Sequence, residues 1–409
     1  MEKTDIAIIG AGPYGLSAAA HLRQRKGVEI RLFGEPMSFW ERHMPRQMFL
    51  RSPWDGSHIA DPENRLALEA YRTVSGNPGL AYPVSLQDFI NYGHWFHDQL
   101  SLAADRRKVT CIKEAAQSYE LTLEDGTSFR ARRVVVAGGI QPFVYRPQIF
   151  AGLPAELVTH TSDPHDFPAF CGKEVLVVGA GQSALEAAVF LNAAGARVEV
   201  LVRNSAVHWL GLGISRWLHL KPISWMFYGK ADVGPPGISL AVQRPNLFRL
   251  LPRTIQTRWA HRAICPAVAP RVAPGAGDLV IHTSRFPVEA QVARNRILVR
   301  LNDGTDRVVD HVVLGTGYRV DISRYPFLSA DLLKKLDIVN GYPRLGRGFE
   351  SSLPGLHFLG APAAYSFGPL MRFVAGTEFT SRALTQRCSS VRAVPLQARG
   401  RTDHLPAAS

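Results

Sequence analysis

At 409 residues, 46% of them hydrophobic, the chain has enough apolar side chain for two or three packed domains and reads as an enzyme-sized globular protein. Its longest apolar runs fall short of the roughly 18 residues a membrane span needs, and no charged leader with a cleavage site precedes the first strand, which predicts a cytoplasmic protein and disfavours membrane contact. The formal charge of +13 is mostly arginine scattered along the chain with no nucleic-acid module around it, so anionic cofactors rather than nucleic acid are the expected partners.

In chain order, Ile6–Ile9 is a predicted strand, Gly15–Arg25 a helix and Glu29–Phe33 a second strand. Residues 36–83 are rich in Pro, Gly, Trp and Arg and read as an irregular connection, long enough to expect a function of it. A helix over Leu86–Leu100 follows, then a hairpin at "LEDGTSF" around Asp125-Gly126, then "RRVVVAGG", a buried strand that runs into Gly138. A second strand–glycine–helix unit opens at "EVLVVGAGQSALEAAVFL". It is interrupted over 204–274 by Trp209, Trp217, Trp225, Trp259 and many prolines, and closes with "LNDGT" and "HVVLGTGY". A last strand "GLHFLG", with Gly360 at its end, and a helix over Leu370–Arg387 precede a polar tail, 391–409. This alternation predicts an α/β chain with two doubly wound Rossmann-like dinucleotide-binding domains. Residues 1–150 and 316–390 form one, and residues 165–315 form the other, inserted into the first. Cys111, Cys171, Cys265 and Cys388 stand far apart without metal-ligand spacing, so neither a disulfide framework nor a metal site is expected.

The first fingerprint is Gly10-x-Gly12-x-x-Gly15, with an apolar strand before it and an alanine-rich helix after it. In that context the glycines allow a tight turn, a close approach of backbone to a pyrophosphate and close helix packing. Glu35, about 20 residues further on, is an expected ribose acceptor, its alternative being an ordinary surface turn residue. The second fingerprint, Gly179-x-Gly181-Gln182-Ser183-Ala184, has alanine at the third glycine. Arg203 stands at the tip of its second strand, where an acid would otherwise be. A cation there pairs with a 2'-phosphate, which predicts NADPH rather than NADH; a solvated surface arginine is the rival reading. One cradle for FAD and one for NADPH imply hydride transfer from nicotinamide to flavin.

These residues, with "MSFWERHMP" (Phe39, Trp40), "YPVSLQDFINY" and Asp310-x-x-x-Leu314-Gly315-Thr316-Gly317-Tyr318, resemble the class B flavin monooxygenases, above all the ornithine and lysine N-hydroxylases and the flavin-containing monooxygenases. The resemblance spans residues 5–203 and 278–386. It implies FAD held by the outer segments, NADPH by the middle domain, and a C4a-hydroperoxyflavin that passes one atom of molecular oxygen to a nucleophilic nitrogen, sulfur or carbon of a small molecule. The expected cofactor-binding set is completed by Trp40, Arg51, Gly138, Thr316, Gly317, Tyr318, Gly360 and Leu370. The chain departs from the family in three places. Only His160 remains of the Phe-x-Gly-x-x-x-His linker, Tyr318 leads into "RVDISRYP" without the His-Pro of the N-hydroxylases, and "LRSPWDGSHIADP" offers no asparagine beside the flavin.

That loop, residues 48–62, is where the chemistry is expected, with Ser52, Trp54, Asp55 and His58 as catalytic candidates, because binding crevices form outside the carboxyl ends of parallel strands. In "FGPLMRFVAGTEF", Pro369 suits a helix first turn, which predicts a helix N-terminus aimed at the electron-rich edge of the flavin. Residues 205–262 read as a substrate lid or a contact in a homo-oligomer. The alternatives to a monooxygenase are an NADPH-dependent flavoprotein reductase without oxygenation and a non-catalytic flavin-binding protein.

Overall fold

The computed structural model describes residues 1–390 apart from 165, 211–230, 232 and 236. Trp217, Trp225 and the polar tail 391–409 therefore lie outside the described residues. The first sheet is built on β1 (Glu2–Ile9), β2 (Ile30–Phe33), β3 (Ala104–Asp105), β4 (Val109–Ala115), β5 (Ser118–Leu123) and β6 (Ser128–Val136), in the order β3-β2-β1-β6-β5-β4. β1 lies parallel between β2 and β6, with Ile6 opposite Ile30 and Arg133. Ala7 and Ile8 are fully buried as a result, as expected of a strand covered on both faces. The hairpin at Asp125-Gly126 turns β5 back onto β6.

The second sheet comprises β7 (Val158–His160), β8 (Glu174–Val178), β9 (Arg197–Val202), β10 (Val280–Thr283) and β14 (His311–Leu314), all parallel, in the order β10-β9-β8-β14-β7. The meander β11 (Pro287–Ala293), β12 (Arg296–Leu301) and β13 (Asp306–Val309) packs beside it. Alternation along the strands sorts the two faces. Val175, Val177, Val198 and Val200 pack on α5 (Gln182–Ala193), whereas Leu176, Val178, Leu201 and Leu314 pack on Ile297, Val299 and Leu301 of the meander. After the small hairpin β15–β16 (Ile338–Val339, Tyr342–Pro343), β17 (Leu356–Phe358) returns to pair with β6. The strands of the second sheet thus fall, in sequence, between two paired strands of the first.

Three segments differ from the sequence expectation. Residues 36–83 are not wholly irregular: α2 (Ser38–His43) and α3 (Leu68–Ser75) lie within them. α3 is held by buried Leu68 and by Tyr71, which packs against Tyr92 and Trp95 of α4 (Leu86–Gln99). The described part of 204–274 divides between the units. Val233, Val242 and Phe248 are buried in the core of the first sheet, while Val268 and Val272 belong to the core of the second.

The third difference is a correction: no continuous helix covers Leu370–Arg387. Pro369–Arg372 is a single 3-10 turn, Phe373 is extended, and the helix begins at Gly376. Tyr14 in α1 (Pro13–Arg23) lies against this turn, its hydroxyl 2.9 and 2.8 Å from the carbonyls of Met371 and Phe373. It gives these carbonyls a partner outside any helix ladder, while the Phe373 carbonyl also accepts from the Gly376 amide at 3.0 Å. The N-terminus expected beside the flavin therefore lies at Gly376, not at Pro369.

Candidate functional site

At the carboxyl end of β1 the three fingerprint glycines have different reasons to be there. Gly10 has φ +107°, and a Cβ on it would sit 2.8 Å from the Ala137 carbonyl carbon. A Cβ on Gly15 would sit 2.9 Å from the carbonyl carbon of Gly10, and closer to its oxygen. Packing requires both. Gly12 caps α1 at φ −81°, which any residue adopts, and a Cβ there would meet nothing within 4 Å. Only the open space in front of the first α1 amides is left to explain it. That space suits a pyrophosphate, drawn to unpaired N–H groups and the positive helix end.

The second cradle repeats the arrangement. Gly179 has φ +149° and abuts the Gly315 backbone, while Gly181 caps α5 at φ −93°, its nearest would-be neighbour being Pro266 at 3.8 Å. The alanine at the third position is matched across the strand end: a Cβ on Gly315 would sit 2.7 Å from the Ala184 Cα. In the first unit the helix carries Gly15 and the strand end Ala137; in the second the helix carries Ala184 and the strand end Gly315. The volume is conserved with the small residue moved across the contact. Both cradles thus fit a dinucleotide pyrophosphate at the open glycine.

The other expected cofactor residues are placed as follows. Glu35 follows β2 and is ion-paired with Arg42 of α2. Arg203 is exposed at the end of β9, its guanidinium 5.8 Å from the Phe286 ring. Ser183 is exposed on the first turn of α5. Gln182 turns inward, accepting from the Ala269 amide at 2.7 Å and donating to Glu186. Burial raises the Glu186 carboxyl above its usual range, against the opposing pull of Gln182 and Arg271. Arg271 also donates to the Phe49 carbonyl at 2.6 Å, tying this cradle to the loop of the first unit. Arg51 lies in the same seam, Nη1 3.4 Å from the Ala267 carbonyl, so it faces the second cradle. Trp40 packs edge-on against Phe89. Gly138 is a packing glycine beneath the Tyr325 ring, and Gly360, at φ +74°, lies beside Tyr14.

The two connections between units cross as a short bridge. The Tyr145 amide donates to the Gly317 carbonyl and the Arg319 amide to that of Phe143, while the Thr316 hydroxyl donates to the Tyr145 carbonyl. Tyr318 then packs edge-on to Phe39 and His160, and its hydroxyl bonds Ser162; burial pushes the phenol up to about 12. His160 is buried, with Nδ1 2.8 Å from the Ser162 hydroxyl.

The loop after β2 separates the catalytic candidates. Trp54, Asp55 and His58 line a cavity of about 1230 Å³, whose other walls include Leu370, Phe367, Gln243 and Arg249. Ser52 is not on that lining; its carbonyl lies 3.3 Å from the Ser57 hydroxyl. Sequence reasoning missed Tyr14, whose only signal was an aromatic inside the first fingerprint, and Arg249 and Arg347, which no local pattern distinguishes.

A sequence model of the pyridine nucleotide-disulphide oxidoreductase family matches residues 7–224. Over 369 residues the chain is 27% identical to indole-3-pyruvate monooxygenase YUCCA1 of Oryza sativa subsp. japonica, covering 83% of each. Among solved structures, ornithine hydroxylase from Pseudomonas aeruginosa superposes with a TM-score of 0.74 at 16% identity, covering 94% of this chain and 98% of that one. The FAD-bound cadaverine monooxygenase from Erwinia amylovora gives 0.74 at 14% identity, covering all of both chains. The chain belongs to the pyridine nucleotide-disulphide oxidoreductase family and has the fold of the flavin monooxygenases.

Proposed function

We propose that the chain is an FAD- and NADPH-dependent monooxygenase that hydroxylates an amine nitrogen, or a similar soft nucleophile, of a small molecule. The observation that carries this reading is the pair Gly12 and Gly181, two helix caps that neither turn geometry nor packing explains, in a chain similar throughout to flavin monooxygenases. The first unit would hold FAD through Gly10, Gly12, Gly15 and Glu35. The second would hold NADPH through Gly179, Gly181, Ser183 and Arg203. Bound FAD supplies a centre that accepts hydride from the nicotinamide and delivers one atom of molecular oxygen, the other leaving as water.

The protein's part is placement. Trp54, Phe367 and Leu370 give the cavity an apolar patch among its polar and charged lining residues. Asp55 and His58 line the same cavity and would receive the proton that a hydroxylated nitrogen releases. Cys111, Cys171, Cys265 and Cys388 stand far apart in the sequence with no Cys-x-x-Cys pair, which disfavours a disulfide-reducing reading. The test is the colour and reduction of the purified protein. It should carry FAD in about one-to-one ratio, and without oxygen NADPH should bleach it faster than NADH. Colourless protein that takes up no FAD contradicts the proposal.

A further inference from the structure

Helix α5 carries a side chain that the second cradle itself does not use. Glu186 is buried, 6% exposed, on a helix whose neighbouring residues Ala184, Leu185, Ala187 and Ala188 all enter the core of the second unit. A carboxylate is costly to bury unless it is paired and hydrogen-bonded, so an acid here needs a reason outside that core. Gln182, one turn earlier, donates its side-chain amide to Oε1 of Glu186 at 2.5 Å while accepting from the Ala269 backbone amide at 2.7 Å. Arg271 reaches the same Glu186 oxygen at 3.4 Å. Burial pushes the carboxyl pKa up, and the charges of Arg271 and Arg51 pull the other way. The carboxylate therefore answers to two arginines, one from each unit.

What those arginines hold is reciprocal. Arg271 follows Val268, a core residue of the second unit, and donates to the Phe49 carbonyl of the first at 2.6 Å. Arg51, of the first unit, donates to the Ala267 carbonyl of the second, with Nη1 3.4 Å away. Both carbonyls belong to fixed backbone. The Leu50 amide donates to the Val84 carbonyl and the Leu86 amide to that of Met48, which laces residues 48–50 to residues 84–86. On the other side Val268 is fully buried and Ala269 is held by Gln182. Each unit thus grips the other's main chain. Glu186 lies where the two grips meet, one turn from the open Gly181 end of the second cradle.

We propose that Glu186 and Arg271 are positioning residues: with Arg51 they set how the second unit sits on the first, and so bring the nicotinamide held by one cradle onto the flavin held by the other. The inference rests on the FAD and NADPH reading above and gives it a centre outside both cradles. Neither residue has to touch a cofactor. Hydride transfer needs the reacting atoms within roughly 3–3.5 Å, and a misplacement of about 1 Å costs on the order of a hundredfold in rate. A clasp between the units therefore acts on the rate of hydride transfer and leaves the dinucleotide's grip on its own cradle alone.

The test separates those two quantities on the purified flavoprotein. The limiting rate of flavin reduction at saturating NADPH is followed by anaerobic stopped flow, and NADP+ affinity by calorimetry. In Arg271→Met and Glu186→Gln the limiting rate should fall about ten- to a hundredfold with NADP+ affinity close to that of wild type, and Arg271→Lys should recover part of the rate. Arg271→Met leaves Glu186 buried beside one cation fewer, so the double variant, which removes both charges, guards against a loss by unfolding. Its rate should fall no further than that of the worse single variant, because the two residues act as one unit. A reading independent of turnover is amide exchange at Ala267, Val268 and Ala269, which should quicken in Arg271→Met. Wild-type reduction rates in the folded variants, unchanged exchange, or rate and NADP+ affinity falling in step overturn the inference and leave the FAD and NADPH reading intact. A wild type whose flavin NADPH does not reduce overturns that reading, and the inference with it.

Discussion

Gly12 and Gly15 are three residues apart in one motif, yet alanine at the two positions should fail in opposite ways. At Gly15 a methyl group would sit 2.9 Å from the Gly10 carbonyl carbon, backbone against side chain with no flexible partner to yield. Overpacking of that kind costs about 1–3 kcal/mol or more, so Gly15→Ala should melt several degrees lower even without ligand. At Gly12 the methyl meets nothing within 4 Å, and φ −81°, ψ −174° suits alanine. The gain from a stiffer unfolded chain, about 0.4–1 kcal/mol, roughly offsets the poorer helix cap. The stripped Gly12→Ala protein should therefore melt as the wild type does. Its FAD affinity should fall, because the methyl holds the pyrophosphate away from the α1 amides. Losing one charge-assisted hydrogen bond of about 1.5–3 kcal/mol weakens binding by roughly ten- to a hundredfold. Flavin stoichiometry by absorbance and melting of the stripped proteins read the two effects separately. A Gly12→Ala protein that keeps FAD at wild-type affinity, or that loses it only by unfolding as Gly15→Ala does, refutes the reasoning.

Gly315→Ala should destabilise the second unit by driving its Cβ into Ala184, and Ala184→Gly should rescue it by recreating the Gly15 and Ala137 arrangement of the first; simple additivity of the two changes in a thermal melting cycle would contradict this. Arg203→Ala should raise the Michaelis constant for NADPH by roughly tenfold or more with little change for NADH, since only NADPH carries the phosphate that the cation would hold. Equal effects on the two cofactors would remove Arg203 from that role. His357 is buried beside Arg133 and Glu350, and burial pulls its pKa down to about 4, below the 6.5 of an ordinary histidine. Between those values the unfolded chain binds a proton that the folded one does not, so the contribution to stability is full above pH 6.5 and shrinks as pH falls towards 4. Urea melts of His357→Gln across that range should show a flatter acid limb than wild type.

The cradles could be read from the sequence because their signals are local: an apolar strand, glycines at fixed spacing and a small-residue helix occupy one short stretch each. The pairing of Ala184 with Gly315 could not, since it joins residues from two ends of the second unit. The helix expected from Pro369 met a contact of the same kind. Proline suits a first turn, but Tyr14, near the other end of the chain, lies against the carbonyls that follow. In the loop after β2 composition suggested a functional segment, yet only the fold could separate Trp54, Asp55 and His58, which face the cavity, from Ser52, which is off its lining, and Arg51, which faces the second unit. Val233, Val242 and Phe248 joined the core of the first sheet, and nothing in an apolar side chain's identity states which of two sheets it will meet.

The central claim is that this chain oxygenates. Its direct measurement is to reduce the bound flavin with NADPH in the absence of oxygen, mix it with oxygenated buffer and follow the flavin spectrum on the millisecond scale. A monooxygenase must delay the return of oxidised flavin within a dry, hydrogen-bonded pocket. The account predicts a transient spectrum distinct from both reduced and oxidised flavin, shorter-lived in His58→Ala. Direct one-step reoxidation of the wild type, with NADP+ bound and a panel of amines present, would contradict it and leave an NADPH-dependent flavin reductase.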